Sequence, residues 1–425
     1  MSVLITTEIL GENSVLTSVE SQLDLSAAWI RSGDGLIGFG EYKKIQISGA
    51  DRFKQARTWW NQQLSEFKIQ NNVHGSGTGP VLFTSFSFDP QQSSVLVIPE
   101  IILAKKGNKS WVTWIGDSRQ PDFSKLHSTT PSGEISWDGG SIPEDKWREQ
   151  VSYAIKSIKE GRLEKVVLAR DQIARSNQPI NTRSILQRLE IDYPSTWLFL
   201  VDGLIGATPE LLVRLSKSLV TSRVLAGTIQ KTGNEDRDLA LAASLAKSSK
   251  DLEEHEYAVR SVADALEPFC SSTNVPESPF VLHLSNVMHL ATDVTGVLND
   301  SAKQADIFTL IEQLHPTAAV CGTPTDVAKQ LINDLEKMNR GRYAAPVGWI
   351  DANGDGEIAI ALRCGLLLED KKSMRIFAGC GIVAGSDPET EFAESQAKLM
   401  PMRTALEMLR EITFNSLAFV SRSGT

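Results

Sequence analysis

The stretch Gly379–Lys398, GCGIVAGSDPETEFAESQAK, joins a glycine-punctuated apolar run to a segment that carries the signals of a helix start. In Ser386–Glu389 a short polar side chain can cap a helix, a proline suits its first turn, and the serine and glutamate stand at capping-box spacing. A helix that begins here places Glu391, Glu394 and Lys398 three and four residues apart on one face. That face is either one wall of a ligand site or a solvated surface with a Glu-to-Lys pair, and this stretch alone leaves both open.

The composition is that of a soluble globular protein, with 425 residues, 41% hydrophobic and 22% charged, and a net charge of −9. We expect no nucleic-acid partner and no membrane partner, because the chain lacks a basic footprint and an apolar run long enough to span a bilayer. No signal-peptide pattern opens the chain, so a cytoplasmic location is expected. The four cysteines lack the spacing of a zinc ribbon or disulfide framework. A small molecule is therefore the expected partner.

Residues 1–140 are predicted to be β-rich, with one helix from Arg52 to about Phe67, and they carry no recognisable chemistry. The run Gly75–Gly79 lacks the Gly-Lys-Ser/Thr ending of a phosphate loop, which favours a hairpin or flexible loop. Residues 128–142, rich in Ser, Thr, Gly and Pro, predict a connection to a second part, residues 141–415. We expect both parts to form one structural domain over residues 1–425.

Four charged or titratable side chains stand in apolar surroundings. Lys165 opens a predicted strand, where it would either snorkel to water or share a buried face with its apolar neighbours. Glu210 interrupts an apolar run and is either a turn residue beside proline or a desolvated acid with a raised pKa. His289 lies in a strand-like run that favours a core imidazole. Arg363 ends a predicted strand, where it would suit a carboxylate ligand.

A long helix is predicted from about Glu235 to Leu266, and it carries Asp251 and Glu254 three residues apart. By itself this second carboxylate pair favours a charged surface face. The segment Asp351–Glu357 resembles the opening of a calcium loop but lacks the closing glutamate, which predicts a hairpin turn. Successive strands joined by hairpins, with a few long helices, favour an α+β fold of antiparallel sheets over a Rossmann fold.

Nine motifs in this order resemble those of the chorismate-utilising enzymes, and within that family most closely the isochorismate synthases: KVVLAR, GATPELLVR, LAGT, KDLEEHEY, HLAT, LHPT, APVGWID, ALRCG and GCGIVAGSDPETEFAESQAK. The resemblance covers roughly residues 140–405. It implies a single α+β domain of two stacked, largely antiparallel sheets flanked by helices, with chorismate and one Mg²⁺ bound in a cleft. It also implies no glutaminase subunit, a monomer or weak homodimer, and a place in menaquinone or siderophore biosynthesis.

The resemblance also implies a role for each matching residue. Lys165 matches the general base on water and Glu210 the general acid, while His289 is the catalytic-site histidine near the substrate ring. Substrate contacts fall on Gly227, Arg363, Gly379, Gly381 and Lys398. The Mg²⁺ ligands are Glu254 and Glu394, with Asp251 and Glu391 one turn away as water-mediated partners. The chain departs from its relatives at Ala318, where a second proline is common.

The chemistry of isomerising chorismate suits these roles, because water adds at C2 while the C4 hydroxyl leaves. The site needs a base on one side of the ring and an acid on the other. A salicylate synthase, which adds pyruvate elimination, is the alternative within the family. Anthranilate and aminodeoxychorismate synthases use ammonia and commonly lack this lysine, or carry a lysine where this chain has Ala226. A catalytically silent homologue is disfavoured, because the base, the acid and both metal carboxylates are intact.

Overall fold

The structure is a computed structural model that describes residues 2–10, 16, 19–20, 23–116, 124–125, 133–299 and 305–407. The strands of this part are β1 (Val3–Leu10), β2 (Val19–Glu20), β3 (Leu25–Arg31), β4 (Asp34–Phe39), β5 (Lys43–Ile47), β6 (Phe67–Asn71), β7 (Val81–Ser85), β8 (Ser94–Ile98), β9 (Ile101–Lys106), β10 (Lys109–Ile115), β11 (Ser124–Lys125), β12 (Ile135–Asp138), β13 (Lys165–Ser176), β14 (Trp197–Val201), β15 (Leu204–Thr208), β16 (Leu211–Ser216), β17 (Leu219–Gln230), β18 (Cys270–Asn274), β19 (Phe280–His283), β20 (Val287–Leu298), β21 (Gly322–Thr323), β22 (Pro346–Asp351), β23 (Gly356–Ile360), β24 (Cys364–Leu367) and β25 (Ser373–Ile382). The helices are α1 (Arg52–Glu66), α2 (Glu144–Lys159), α3 (Thr182–Asp192), α4 (Glu235–Leu245), α5 (Ser249–Leu266), α6 (Ile307–Leu314), α7 (Thr325–Leu335) and α8 (Pro388–Glu407), with a short 3-10 helix at Glu267–Phe269.

Two large sheets contain these strands, apart from the short pair β2 and β11. The larger sheet has the order β12-β13-β25-β24-β15-β14-β3-β4-β9-β10-β1-β6, with β21 beside β13. The smaller sheet has the order β18-β20-β17-β16-β23-β22-β7-β8-β5, with β19 beside β20. Neighbouring strands of the described part are antiparallel except for the parallel pair β1 and β6. The predicted α+β fold of two largely antiparallel sheets is confirmed.

The main core lies between the two sheets, and the alternation of side chains along the strands explains why. In β14, Trp197 and Phe199 belong to the cluster between the sheets, together with Phe83 and Trp349 of the smaller sheet. The alternate residues of β14, Leu198 and Leu200, point to the other face of the sheet and pack with apolar residues of α3 and α8. Strand β14, in the middle of the larger sheet, is therefore buried on both faces.

The two predicted parts of the chain share both sheets. Strand β3 pairs with β14 in the larger sheet, and β7 pairs with β22 in the smaller sheet. The boundary near residue 140 stays a prediction. The predicted connection over residues 128–142 lies partly outside the described residues. Its described portion contains β12, which pairs with β13. No helix among the described residues is long and apolar enough to cross a lipid bilayer.

Two predictions about helix ends are also wrong. The expected helix over Glu235–Leu266 is two helices, because the Ser248 side chain accepts a hydrogen bond from the Asp251 amide and caps α5 anew. At α8, Asp387 rather than Ser386 acts as the cap, with its carboxylate accepting from the Thr390 amide at 3.0 Å. Pro388 is the first residue of α8, as the sequence predicts.

The predicted hairpin turn over Asp351–Glu357 and the predicted loop over Gly75–Gly79 agree with the structure. Asp351 closes the hairpin between β22 and β23, and its Oδ1 accepts from the amides of Asn353 and Asp355. The other oxygen of the same carboxylate accepts from the Gly77 amide at 2.8 Å. The glycine-rich loop over Gly75–Gly79 is therefore held to this hairpin.

Candidate active site

One cavity gathers most of the residues that the sequence motifs single out. Eight of the twelve expected site residues line it: Glu210, Gly227, Glu254, His289, Arg363, Gly379, Gly381 and Lys398. Its walls come from strands of both sheets and from α5 and α8. The remaining four residues adjoin it, since Lys165 contacts Glu254 and the other three lie on α5 and α8. The tertiary structure thus brings distant motifs to one place.

Lys165 is buried beside this cavity and does not snorkel to water. It is 0% exposed at the start of β13, and its Nζ lies 3.1 Å from Glu254 Oε1. No hydrogen-bond acceptor among the described residues is aligned with this ammonium, so the contact is an ion pair. A methyl group on Gly381 would lie 2.2 Å from Glu254 Oε1 and 3.0 Å from Lys165 Cε. Gly381 is therefore needed to make room for the ion pair.

Glu254 is the acidic partner of this pair, and its side chain is only 14% exposed. Burial by itself raises the pKa of Glu254, but the positive charges of Lys165, Lys398 and Lys250 outweigh burial and lower it. Glu254 is therefore a carboxylate at neutral pH. The surface-face interpretation of α5 is wrong for this residue.

Glu210 lies between β15 and β16 and is 5% exposed. Burial raises the pKa of Glu210 to about 8, although the charges of Lys165, Arg363 and Lys398 act in the opposite direction. Most of the Glu210 side chains hold a proton at pH 7. Of the two interpretations that the sequence leaves open, the structure supports the desolvated acid.

His289 and Arg363 form a hydrogen-bonded pair in the wall of the cavity. Arg363 Nη2 lies 3.1 Å from His289 Nε2, and because a guanidinium only donates, this ring nitrogen must be the acceptor. The pKa of His289 lies well below its usual value because of burial and the charges of Arg363 and Lys398, so the ring is neutral. Its proton is then on Nδ1, which lies 3.3 Å from the Gly227 carbonyl oxygen and 3.0 Å from Thr228 Oγ1.

Gly227 lines the cavity next to His289 and lies in a bulge of β17. The register of β17 with β20 shifts between Ala226 and Thr228, and Gly227 has a φ of +75°. A methyl group at Gly227 would come within 2.9 Å of Asp251 Cβ on α5. A side chain here would thus be strained and would push α5, with its carboxylates, away from the cavity.

Lys398 lies on α8 and is 9% exposed. Its Nζ donates to the Gly379 carbonyl oxygen at 3.0 Å and lies 2.5 Å from Glu394 Oε1. Burial alone lowers the pKa of Lys398, but the Glu394 carboxylate more than compensates, and the net effect is to raise it. Lys398 is therefore a fixed positive charge in the cavity wall.

Acidic side chains of α5 and α8 form a cluster next to these lysines. Carboxylate oxygens of Glu391 and Glu394 and the Cys380 sulfur lie within 4.8 Å of one another. Burial and the charge of Glu394 raise the pKa of Glu391, and burial raises the pKa of Asp251. With Glu254 these residues offer hard oxygen donors, which is the ligand chemistry that Mg²⁺ prefers. The donor set fits a magnesium ion.

The sequence motifs missed Tyr343 and a buried ion pair behind the cavity. Tyr343 lines the cavity, is 3% exposed, and stacks on Phe377 with ring centroids 5.0 Å apart. Its only signal in the sequence is its position three residues before the strand Pro346–Asp351. A polar aromatic residue at such a position is too common to indicate a site.

The buried ion pair joins Glu336 and Arg340, which are 6% and 5% exposed. Arg340 donates to the carbonyl oxygens of Val167 and Val320 at 2.8 and 2.9 Å, and both valines line the cavity. Glu336 Oε1 accepts from the Ala169 amide at 2.7 Å. The pair therefore ties the loop before β21 to β13, the strand that carries the buried lysine.

Comparisons with known proteins agree with this fold. Residues 12–407 match the family described as "Chorismate binding enzyme". The chain belongs to this family.

Among its relatives, isochorismate synthase MenF of Bacillus subtilis is 32% identical over 87% of this chain and 85% of its own length. Isochorismate synthase DhbC of the same organism is 34% identical over 77% of this chain and 81% of its own length. The solved structure of MenF, the menaquinone-specific isochorismate synthase of Escherichia coli, has a TM-score of 0.77 at 23% identity and covers 95% of each chain, which supports the fold.

Proposed function

We propose that this protein is an isochorismate synthase, an isomerase that converts chorismate to isochorismate for menaquinone or siderophore biosynthesis. The observation that carries the proposal is a pair of titratable groups, a largely protonated Glu210 in the cavity wall and the buried Lys165 beside the cavity. An exchange of hydroxyl groups on a ring requires an acid and a base of this kind. The relatives that share most of the chain bear the same activity in their names.

In the proposed mechanism, Lys165 accepts a proton from the water that adds at C2 of chorismate. Glu210 donates its proton to the C4 hydroxyl, which leaves as water while the ring double bonds shift. One water enters and one leaves, so the net reaction is an isomerisation. Because Lys165 must be neutral to act as a base, its ion pair with Glu254 has to open before the reaction.

Substrate carboxylates would bind to the cationic side of the cavity. Arg363 offers a guanidinium that can hold a carboxylate through two parallel hydrogen bonds, and Lys398 adds a second positive charge. His289 acts as a positioning residue, because its Nε2 already accepts from Arg363 and orients the guanidinium. Backbone groups at Gly227, Gly379 and Gly381 would complete the substrate contacts.

The four carboxylates on α5 and α8 would hold one Mg²⁺. Glu254 and Glu394 would bind it directly, with Asp251 and Glu391 as water-mediated partners. When bound, the ion would neutralise the ring carboxylate of the substrate. We further propose that the enzyme acts in the cytoplasm, without a glutaminase subunit, as a monomer or weak homodimer.

The proposal is tested by incubating the purified protein with chorismate, with and without MgCl₂, and separating the products by chromatography. Isochorismate should accumulate only with magnesium. Salicylate and pyruvate as the main products would instead indicate a salicylate synthase, and unchanged chorismate under all conditions would contradict both activities. Gel filtration of the same sample measures the oligomeric state.

A further inference from the structure

Lys250 is a charged residue that the mechanism above does not use. It lies in the first turn of α5, and its Nζ donates to Glu391 Oε1 on α8 at 3.1 Å. The carboxylate side chain of Glu391 is 2% exposed, whereas the lysine side chain is 35% exposed. A buried acid is thus paired with a cation that reaches it from the solvent side.

The other two glutamates of the cluster also have lysine partners. Lys165 is paired with Glu254 at 3.1 Å, and Lys398 is paired with Glu394 at 2.5 Å. Each of the three glutamates that would face a divalent cation therefore has an ammonium partner in this structure. A cation of charge +2 that enters the cluster must compete with these ammonium groups.

Of these three lysines, Lys250 is the one that can break its ion pair at a low cost in free energy. The side chains of Lys165 and Lys398 are 0% and 10% exposed, and Lys398 also donates to the Gly379 carbonyl oxygen. An exposed lysine can exchange a carboxylate partner for water by rotating its side chain.

We propose that Lys250 is an exchangeable counter-ion of the divalent-cation site, which neutralises buried Glu391 in the metal-free protein and swings into solvent when the ion binds. The inference rests on the metal role proposed above. The lysine then serves two purposes. It holds a buried carboxylate in place for the metal, and it sets the metal affinity by competing for the same oxygen atoms.

Removing the positive charge of Lys250 should raise the affinity of the site for a divalent metal ion. Metal binding must break the Lys250–Glu391 ion pair, whose atoms lie 3.1 Å apart, and in a water-like dielectric this loss lowers the metal affinity about tenfold. Lys250→Met, which keeps the length of the side chain and removes the charge, should therefore bind metal about tenfold more tightly. Lys250→Arg should bind metal like the wild type. The matched control is Lys247→Met, because Lys247 is an exposed lysine three residues away.

The experiment titrates the full-length protein with Mn²⁺ at pH 8 and measures free Mn²⁺ by electron paramagnetic resonance. Thermal denaturation with and without saturating MgCl₂ gives a second readout that does not depend on activity. Lys250→Met should lower the melting temperature of the metal-free protein and leave that of the magnesium-saturated protein unchanged. Should the methionine variant fold poorly, Lys250→Gln is expected to give the same result.

Two outcomes would overturn the inference in distinguishable ways. If the wild type binds Mn²⁺ and Lys250→Met binds it equally or more weakly, Lys250 is no competitor and only this inference fails. If the wild type binds neither Mn²⁺ nor Mg²⁺, the proposed metal role fails and this inference fails with it.

Discussion

Replacing Glu210 with glutamine should make the protein more stable and nearly inactive. Glutamine has almost the shape of the protonated acid but cannot ionise. Burial raises the pKa of Glu210 to about 8 from its usual value of 4.5, so the wild type must keep or take up a proton to fold within this pH range. The contribution of Glu210 to stability is therefore fully present below pH 4.5 and is lost as pH rises from there to 8.

The linkage relation gives the size of the effect. At pH 7 the unfolding free energy of Glu210→Gln should exceed that of the wild type by roughly 3 kcal/mol. At pH 4 the unfolding free energies of the two proteins should be nearly equal. The measurement is urea denaturation of both proteins at several pH values from 4 to 9. Glu253→Gln, a change at an exposed residue of α5, is the control and should show no such pH dependence.

Activity should change in the opposite direction. Without a proton donor, Glu210→Gln should lose about 10²–10⁴ in turnover. If the glutamine variant were no more stable than the wild type at pH 7 to 9, Glu210 would be ionised in the folded protein and could not be the acid.

Three further changes test other parts of the site. Lys165→Arg should lose about 10²–10⁴ in turnover while still binding chorismate, since a guanidinium cannot give up its proton, and near-native turnover would end its assignment as the base. Arg363→Ala should raise the Michaelis constant for chorismate by removing a carboxylate partner, and an unaltered constant would place substrate binding elsewhere. Arg340→Met should lower the unfolding free energy by about 3–5 kcal/mol, because it leaves a buried carboxylate unpaired, and a loss below about 1 kcal/mol in urea denaturation would show that the ion pair is dispensable.

Several features of the site could be predicted from the sequence because they depend on local patterns. The spacing of Glu391, Glu394 and Lys398 fixes their common face on any helix, and Pro388 fixes where that helix begins. The ordered motifs contain eight of the residues that line the cavity, because the charged and glycine residues of such a site recur within short sequence motifs. The identity of the helix cap was missed, because Ser386 and Asp387 offer equally suitable side chains and only the path of the preceding strand chooses between them.

The sequence by itself therefore determined the helical and strand periods, the fold class and the set of residues proposed to react. The tertiary structure alone decided their protonation and pairing. Lys165 and Glu254 are far apart in sequence, and their ion pair exists because β13, β25 and α5 converge where Gly381 has no side chain. The pKa of Glu210 likewise depends on the closure of both sheets around it. Burial and charge act through space, so only the folded chain sets them.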